Sequence, residues 1–406
     1  MTNTITPADH SSLATAVREA FETETPLYPV GGGTSLEYGL PPARPGKNLA
    51  LSALNRVIDY PARDMTITVE AGITMAALAA TLAAERQRLP IDAPQADRAT
   101  LGGVIATNAS GPLRFAHGTI RDYVIGITAV DGRGTAFKGG GRVVKNVAGY
   151  DFCKLLCGSL GTLGVIAQVT LKVKPIPEQT ALLACRVASL DEAERLLAAL
   201  VTSQTAPAAV ELIAGPAWSD DPALEPLAGG EFGHLIVALE GTNPEVEWMQ
   251  RTLAEEWKAL GHSGHTVSGE QAAGLWSRLR EFAIHDAALA LKVSAPPSHT
   301  VAMIRLLREV AADCSIQAHA GNGMLIARFP NFPAGGISRL VVGRLQPAAQ
   351  LVGGNVVVLA SANPGELTRQ AVWGGASADV KLMETVKRQF DPKNILNPGR
   401  FIYANQ

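Results

Sequence analysis

Three glycine-rich segments fall in the first 165 positions of this 406-residue sequence. They read VGGGTSLEYG at 30–39, TLGGVIATNASG at 100–111 and GSLGTLGV at 158–165. Segments of this kind let successive backbone N–H groups converge on an anion, because no Cβ stands in the way, and a diphosphate needs that arrangement. The first is not a Walker loop, since no Gly-Lys-Ser/Thr follows, and Pro41-Pro42 after it does not suit a G-x-G-x-x-G turn that opens a helix. A nicotinamide-type Rossmann fold is therefore not expected. One such cluster is compatible with turn punctuation; three at strand boundaries point to a phosphate-holding domain.

The rest of the composition narrows the class. With 47% apolar and 18% charged residues the chain can bury one or two sizeable cores. Its 35 Lys+Arg against 37 Asp+Glu, a net charge of −2, point neither to nucleic acid nor to a solvating tail. No basic-then-apolar leader opens the sequence, and no uncharged apolar run reaches the ~18 residues of a membrane span. The four cysteines (Cys153, Cys157, Cys185, Cys314) read as reduced and cytoplasmic. Cys153 and Cys157 stand one helical turn apart, as a thiol pair or as two small buried hydrophobes, and no second pair completes a zinc or iron–sulfur set.

Periodicity predicts a helix over 11–23, short strands at 27–30, 49–54, 57–60 and 65–70, and a helix from 74 to about 86 capped by Thr74. Residues 90–122 read as a loop-rich stretch, 124–130 as a strand, 151–157 as a helix and 165–173 as a strand. Pro175 and Pro177 then mark a boundary. Beyond it, helices at about 190–201, 245–260, 268–283 and 299–312 alternate with strands at 208–213, 234–239, 288–293, 323–329 and 355–360. This predicts an α+β domain with a mostly antiparallel sheet and helices on one face. The expected division is 1–175, 176–378, and a helix and tail over 379–406.

At PVGGGTS, at TLGGVIATNASGPLRFAHGTIRDYVIGITAVDGRG and at NVAGYDFCKLLCGSLGTLGVIAQVTLKV, the sequence resembles the FAD domain of the vanillyl-alcohol-oxidase and p-cresol-methylhydroxylase (PCMH) superfamily. VKRQFDPKNILNPGRF is similar to the end of the FAD-linked oxidase C-terminal domain. The nearest likeness is to the FAD-binding E subunits of bacterial glycolate oxidases. The resemblance spans the chain, with specific motifs over 28–175 and weak ones over 180–370. It implies a two-part PCMH-type FAD-binding domain, an α/β cap domain, and non-covalent FAD. Gly31, Gly32, Gly33, Thr34 and Ser35 would hold the pyrophosphate. Thr100, Leu101, Gly102, Gly103, Asn108 and Gly111 would run along pyrophosphate and flavin, with Arg121 and Asp122 as a buttress or a plain surface pair. Gly158, Gly161, Thr162, Gly164, Val165 and Ile166 would close over the ribityl and adenosine parts. Asn397-Pro398-Gly399 would bring the tail back to the FAD domain.

Two motifs of the substrate-oxidising members are broken. Their His-Ala-Gly-Asp-Gly-Asn-Leu-His, which grips a divalent metal, stands here as His319-Ala320-Gly321-Asn322-Gly323-Met324-Leu325-Ile326. Their Glu-His-Gly is replaced by Trp373-Gly374-Gly375-Ala376-Ser377. A metal site needs about three convergent protein ligands, and His319 alone remains, so no metal is expected. His117, in a glycine-rich loop, is the one candidate for a covalent flavin link, and His262 and His265 read as exposed. Arg142, Lys145 and Lys154 are candidate cations for a carboxylate, or else surface charges.

The resemblance implies a flavoprotein subunit of a multi-subunit glycolate dehydrogenase, with a sister catalytic flavoprotein and an iron–sulfur subunit as partners. The location would be cytoplasmic, or inner-membrane-associated through those partners. The alternatives are a self-sufficient FAD-dependent 2-hydroxy-acid (D-lactate-type) dehydrogenase and a scaffold that has lost its flavin.

Overall fold

A computed structural model describes residues 4–141, 149–227, 232–283, 287–375 and 379–401. The chain forms two compact units, and neither is a single run of sequence. The first holds residues 1–110, 118–176 and 375–406; the second holds 111–117 and 177–374.

In the first unit, Thr4–Ile5, Lys47–Ala50 and Leu27–Val30 form a three-stranded parallel sheet with Lys47–Ala50 central. A five-stranded antiparallel sheet runs in the order Val57–Asp59, Thr66–Glu70, Val165–Lys172, Val124–Val130, Ala136–Gly140. The helix His10–Glu22 starts at the N-cap Asp9, whose carboxylate accepts from Ser12 N–H. Its Leu13 and Val17 are fully buried in a cluster with Leu27, Leu49, Val165, Ile395 and Leu396. Residues nearly 400 positions apart thus share one core. Backbone bonds fix the contact: Leu27 N–H donates to the Ile395 carbonyl (2.8 Å) and Asn397 N–H to the Leu27 carbonyl (2.8 Å).

The stretch 90–122 is not all loop. Leu101–Thr107 is a helix capped by Thr100, and Arg114–His117 is a second short one. Two glycines at its start lower helix propensity, yet Leu101 and Ile105 are fully buried. Packing therefore overrides the local preference.

The second unit is built on an eight-stranded antiparallel sheet. Its order is Gly264–Val267, Gln179–Val187, Gly233–Gly241, Ala209–Ala214, Ser315–His319, Met324–Phe329, Leu289–Ser294, Asn355–Ser361. Gln179–Val187, Gly264–Val267 and Ser315–His319 were not expected as strands. Helices on one face alone would leave alternate strand residues open. Instead Ala209–Ala214 and Ser315–His319 are buried at every position, so both faces of these strands are covered. The helix Gly269–Glu281 covers part of one face through Leu275 and Leu279, in a cluster with Leu182, Ala184 and Ile236.

All four cysteines are free. Burial pushes Cys153 up to about 11 and Cys157 up to about 12, as expected of thiols that act as small hydrophobes. Among the described residues no helix is long and apolar enough to cross a membrane.

Candidate functional site

The first unit holds a cavity of about 470 Å³. Gly31 to Ser35 form one wall, as the chain leaves the strand Leu27–Val30. Thr100, Gly102 and Gly103 contribute a second wall, and Gly161, Gly164, Val165 and Ile166 a third. The three glycine segments, up to 135 positions apart in sequence, are brought to one place.

Their roles differ, and the hydrogen bonds show how. None of the five amides from Gly31 to Ser35 donates to an acceptor among the described residues, so five consecutive N–H groups are left for a ligand. The second segment has none to spare in its first turn. Leu101 N–H donates to the Ile73 carbonyl, Gly102 N–H to the Ala71 carbonyl at 2.7 Å, and Gly103 N–H to Thr100 Oγ1 at 3.3 Å. Gly102 is glycine for packing, since a Cβ there would lie 3.0 Å from Ala71. In the third segment Gly158 and Leu160 donate to the carbonyls of Ile105 and Ala106 and so dock on the Leu101–Thr107 helix. Among the described residues the N–H groups of Gly161 and Gly164 have no backbone acceptor.

Seven of the residues singled out in the sequence stand outside the cavity wall. Leu101 is core, and Asn108 ends the helix with φ of 51°. Gly158 docks as described, and Thr162 is buried with its carbonyl bound by Lys387 (2.8 Å). Asp122 accepts from Thr119 N–H at 2.8 Å and so caps its own turn, while its neighbour Arg121 is exposed. Gly111 belongs to the second unit, where its carbonyl accepts from Arg114 N–H.

The cavity wall also contains Tyr28, Arg44 and Asn48, which no motif marked, and Asn397 and Arg400 of the C-terminal motif, neither of which the resemblance placed on the cofactor. Two are arginines, and the wall contains no carboxylate. Five free amides, two guanidinium groups and no acid fit an anionic dinucleotide. Asn397 was expected only to return the tail; its side chain donates to the Leu160 carbonyl (2.7 Å) and ties the tail to the third segment.

Other candidates fall in different surroundings. His117, in the second unit, has Nε2 2.8 Å from Glu240 Oε2. His262 is not exposed: it pairs with Glu192 at 3.2 Å and its side chain is 11% exposed, and His265 is half-buried on a strand. Lys154 pairs with Asp151 at the surface. Arg142, Lys145, Ala376 and Ser377 lie outside the described residues.

In the second unit, His319 stands directly across the ladder from Glu211. Its Nδ1 is 2.7 Å from Glu211 Oε1, and Gln317 Nε2 donates to Glu211 Oε2 at 2.8 Å. All three residues are at most 4% exposed. Glu211 was missed in the sequence; a lone acid inside the buried run AVELIA was the available signal. Ile326, in the place of the second motif histidine, packs in the core cluster with Trp218 and Phe282.

Fold and cavity define a two-domain flavoprotein architecture, and the family comparisons say which. Residues 2–140 match the FAD binding domain, and residues 176–332 and 375–401 match the C-terminal domain of FAD linked oxidases. The chain therefore carries both domains of the FAD-linked oxidases, and its cofactor is FAD.

Among curated relatives it is 27% identical to glycolate oxidase subunit GlcD of Bacillus subtilis, over 98% of this chain and 88% of that one. It is 27% identical to the mitochondrial D-lactate dehydrogenase [cytochrome] of Arabidopsis thaliana, over 98% of this chain and 72% of the other. Glycolate oxidase subunit GlcE of Escherichia coli is 34% identical, over 45% of this chain and 51% of its own length. The likeness to E subunits is thus confined to part of the chain. A solved p-cresol methylhydroxylase shares the fold at a TM-score of 0.75 and 16% identity, covering 98% of this chain and 88% of that one.

Proposed function

We propose that the chain is the FAD-binding subunit of a glycolate oxidase or dehydrogenase complex. It takes part in oxidising glycolate to glyoxylate, and relays electrons between a sister catalytic flavoprotein and an iron–sulfur subunit. Bound FAD supplies the two-electron acceptor. The amides of Gly31 to Ser35 hold its diphosphate, and Thr100, Gly103, Gly161 and Gly164 shape the cavity around it. The similarity to two glycolate oxidase subunits supports the reaction class.

The observation that carries the relay role is the state of the broken metal motif. His319 Nδ1 is engaged by Glu211, so only Nε2 is left as a ligand atom, and Ile326 is committed to apolar packing. Among the described residues no group of three His, Cys, Asp or Glu is placed to hold a metal. A 2-hydroxy-carboxylate needs a cation at its carboxylate and a base at its hydroxyl, both held near the flavin. Among the described residues no histidine or carboxylate lines the cavity to serve as that base. The similarity to D-lactate dehydrogenase over 98% of this chain favours the other reading, a self-sufficient dehydrogenase.

Stopped-flow absorbance separates the two. The isolated, FAD-loaded chain is expected to keep its 450-nm band for at least ~10 s in millimolar glycolate or D-lactate, well beyond a typical enzymatic turnover. Within its complex the same flavin is reduced. Rapid saturable bleaching of the isolated chain would establish the self-sufficient dehydrogenase.

The flavin is held without a covalent bond. His117, the candidate for a link, is paired with Glu240 in the second unit. Acid precipitation is therefore expected to leave the yellow colour in the supernatant. Flavin retained on the precipitated chain would contradict this.

A further inference from the structure

We propose that Arg400, in the C-terminal tail, is a cofactor-binding residue that supplies the positive charge for the diphosphate of FAD. This rests on the reading of the cavity as the FAD site. Arg400 lines that cavity and is 9% exposed. Its Nη1 donates to the carbonyl of Leu36 at 2.7 Å, one residue beyond the Gly31–Ser35 loop. The guanidinium is thereby fixed beside the five free amides. Its backbone is held too: Leu40 N–H donates to the Arg400 carbonyl at 3.0 Å.

Among the described residues no carboxylate lies within ion-pair distance of Arg400, and burial pushes its pKa down. A buried guanidinium without a counter-ion is unfavourable, and it persists where a ligand completes it. The other arginine of the wall, Arg44, is exposed and donates to the Asn394 carbonyl at 2.7 Å. Arg400 is therefore the cation placed to be desolvated with the ligand. The guanidinium brings a net positive charge to the phosphate oxygens, which a glycine loop, with dipoles and no net charge, does not.

The rival account is structural: Arg400 merely holds the loop at Leu36. Gln retains an N–H donor for that carbonyl and loses the charge, so Arg400→Gln separates the two. The probes are ADP, which has the diphosphate without the flavin, and riboflavin, which has the flavin ring without any phosphate. Binding to the full-length apoprotein is read by fluorescence and calorimetry. Arg400→Gln is expected to weaken FAD and ADP at least tenfold, to leave riboflavin within twofold, and to show a shallower salt dependence of ADP binding. Arg400→Lys is expected to recover most of the loss.

Unchanged ADP affinity in Arg400→Gln overturns the proposal. An equal loss of riboflavin and ADP, or no recovery in Arg400→Lys, overturns it in favour of the structural account. Failure of the wild-type chain to bind FAD would instead refute the cavity assignment itself, and the proposal with it.

Discussion

Gly32→Ala is expected to cost the chain its flavin. A Cβ at position 32 would lie 1.6 Å from the Arg98 carbonyl oxygen and 2.4 Å from its carbon, inside the covalent envelope of a backbone group that cannot yield. From the sequence, a side chain at Gly32 threatens the phosphate directly. The structure gives a different reason, since the collision is with the protein's own main chain. To relieve it the Gly31–Ser35 loop must move off Arg98, and its amides then no longer converge. Overpacking strain of ~1–3 kcal/mol combined with weakened charge-assisted bonds gives a total of about 3 kcal/mol, or roughly a hundredfold in FAD affinity.

Gly33→Ala provides the internal comparison. Its nearest neighbours would be 3.7 Å away, but φ is +70°, so the penalty is the left-handed conformation alone, about 1–2 kcal/mol. Flavin retained per chain after gel filtration, followed by a fluorescence titration, should rank wild type above Gly33→Ala above Gly32→Ala. Full yellow colour in Gly32→Ala would mean that this loop is not the diphosphate site.

Lys387→Met is expected to produce the largest stability loss. Lys387 is 6% exposed and uses all three ammonium protons: to Asp391 Oδ2 (2.5 Å), to the Leu396 carbonyl (3.0 Å) and to the Thr162 carbonyl (2.8 Å). It thereby links the C-terminal helix Val380–Phe390, the tail, and the third glycine segment. Burial opposes its charge and pushes its pKa down, and Asp391 pulls the other way. Methionine fills the space but leaves Asp391 buried without its cation, for which about 3–5 kcal/mol is typical. At roughly 2–4 °C per kcal/mol for a unit of this size, thermal unfolding should shift by about 10 °C.

Flavin release should precede unfolding in this variant, because the Thr162 and Leu396 carbonyls lose the same donor. The double variant Lys387→Met/Asp391→Asn should lose less than the sum of the two single changes, since it strands no charge. A melting point within 2 °C of wild type would show that the triple contact is energetically idle.

Much of this molecule follows from local pattern. The glycine clusters predict a phosphate site because only glycine lets consecutive amides face one anion, and Gly31–Ser35 line the cavity. The helices Leu190–Val201 and Asn243–Ala259 and the strand Val165–Lys172 obey simple periodicities, so their positions are legible in advance. The broken metal motif at His319, Asn322 and Ile326 is a statement about residue types, and types are what a sequence records.

Tertiary structure decided what each of those residues does. Gly102 and Gly103 look like a second amide nest, yet their N–H groups are consumed by Ala71 and Thr100, partners that no spacing announces. Glu211 gives His319 its carboxylate only because two strands more than a hundred residues apart lie in register. Arg400 enters the cavity because Leu396 and Asn397 pair with Leu27 and carry the tail to the first glycine loop. Periodicity reports the face of an element that is buried; which distant segment buries it is fixed by long-range packing, and a single sequence does not encode that in any local signal.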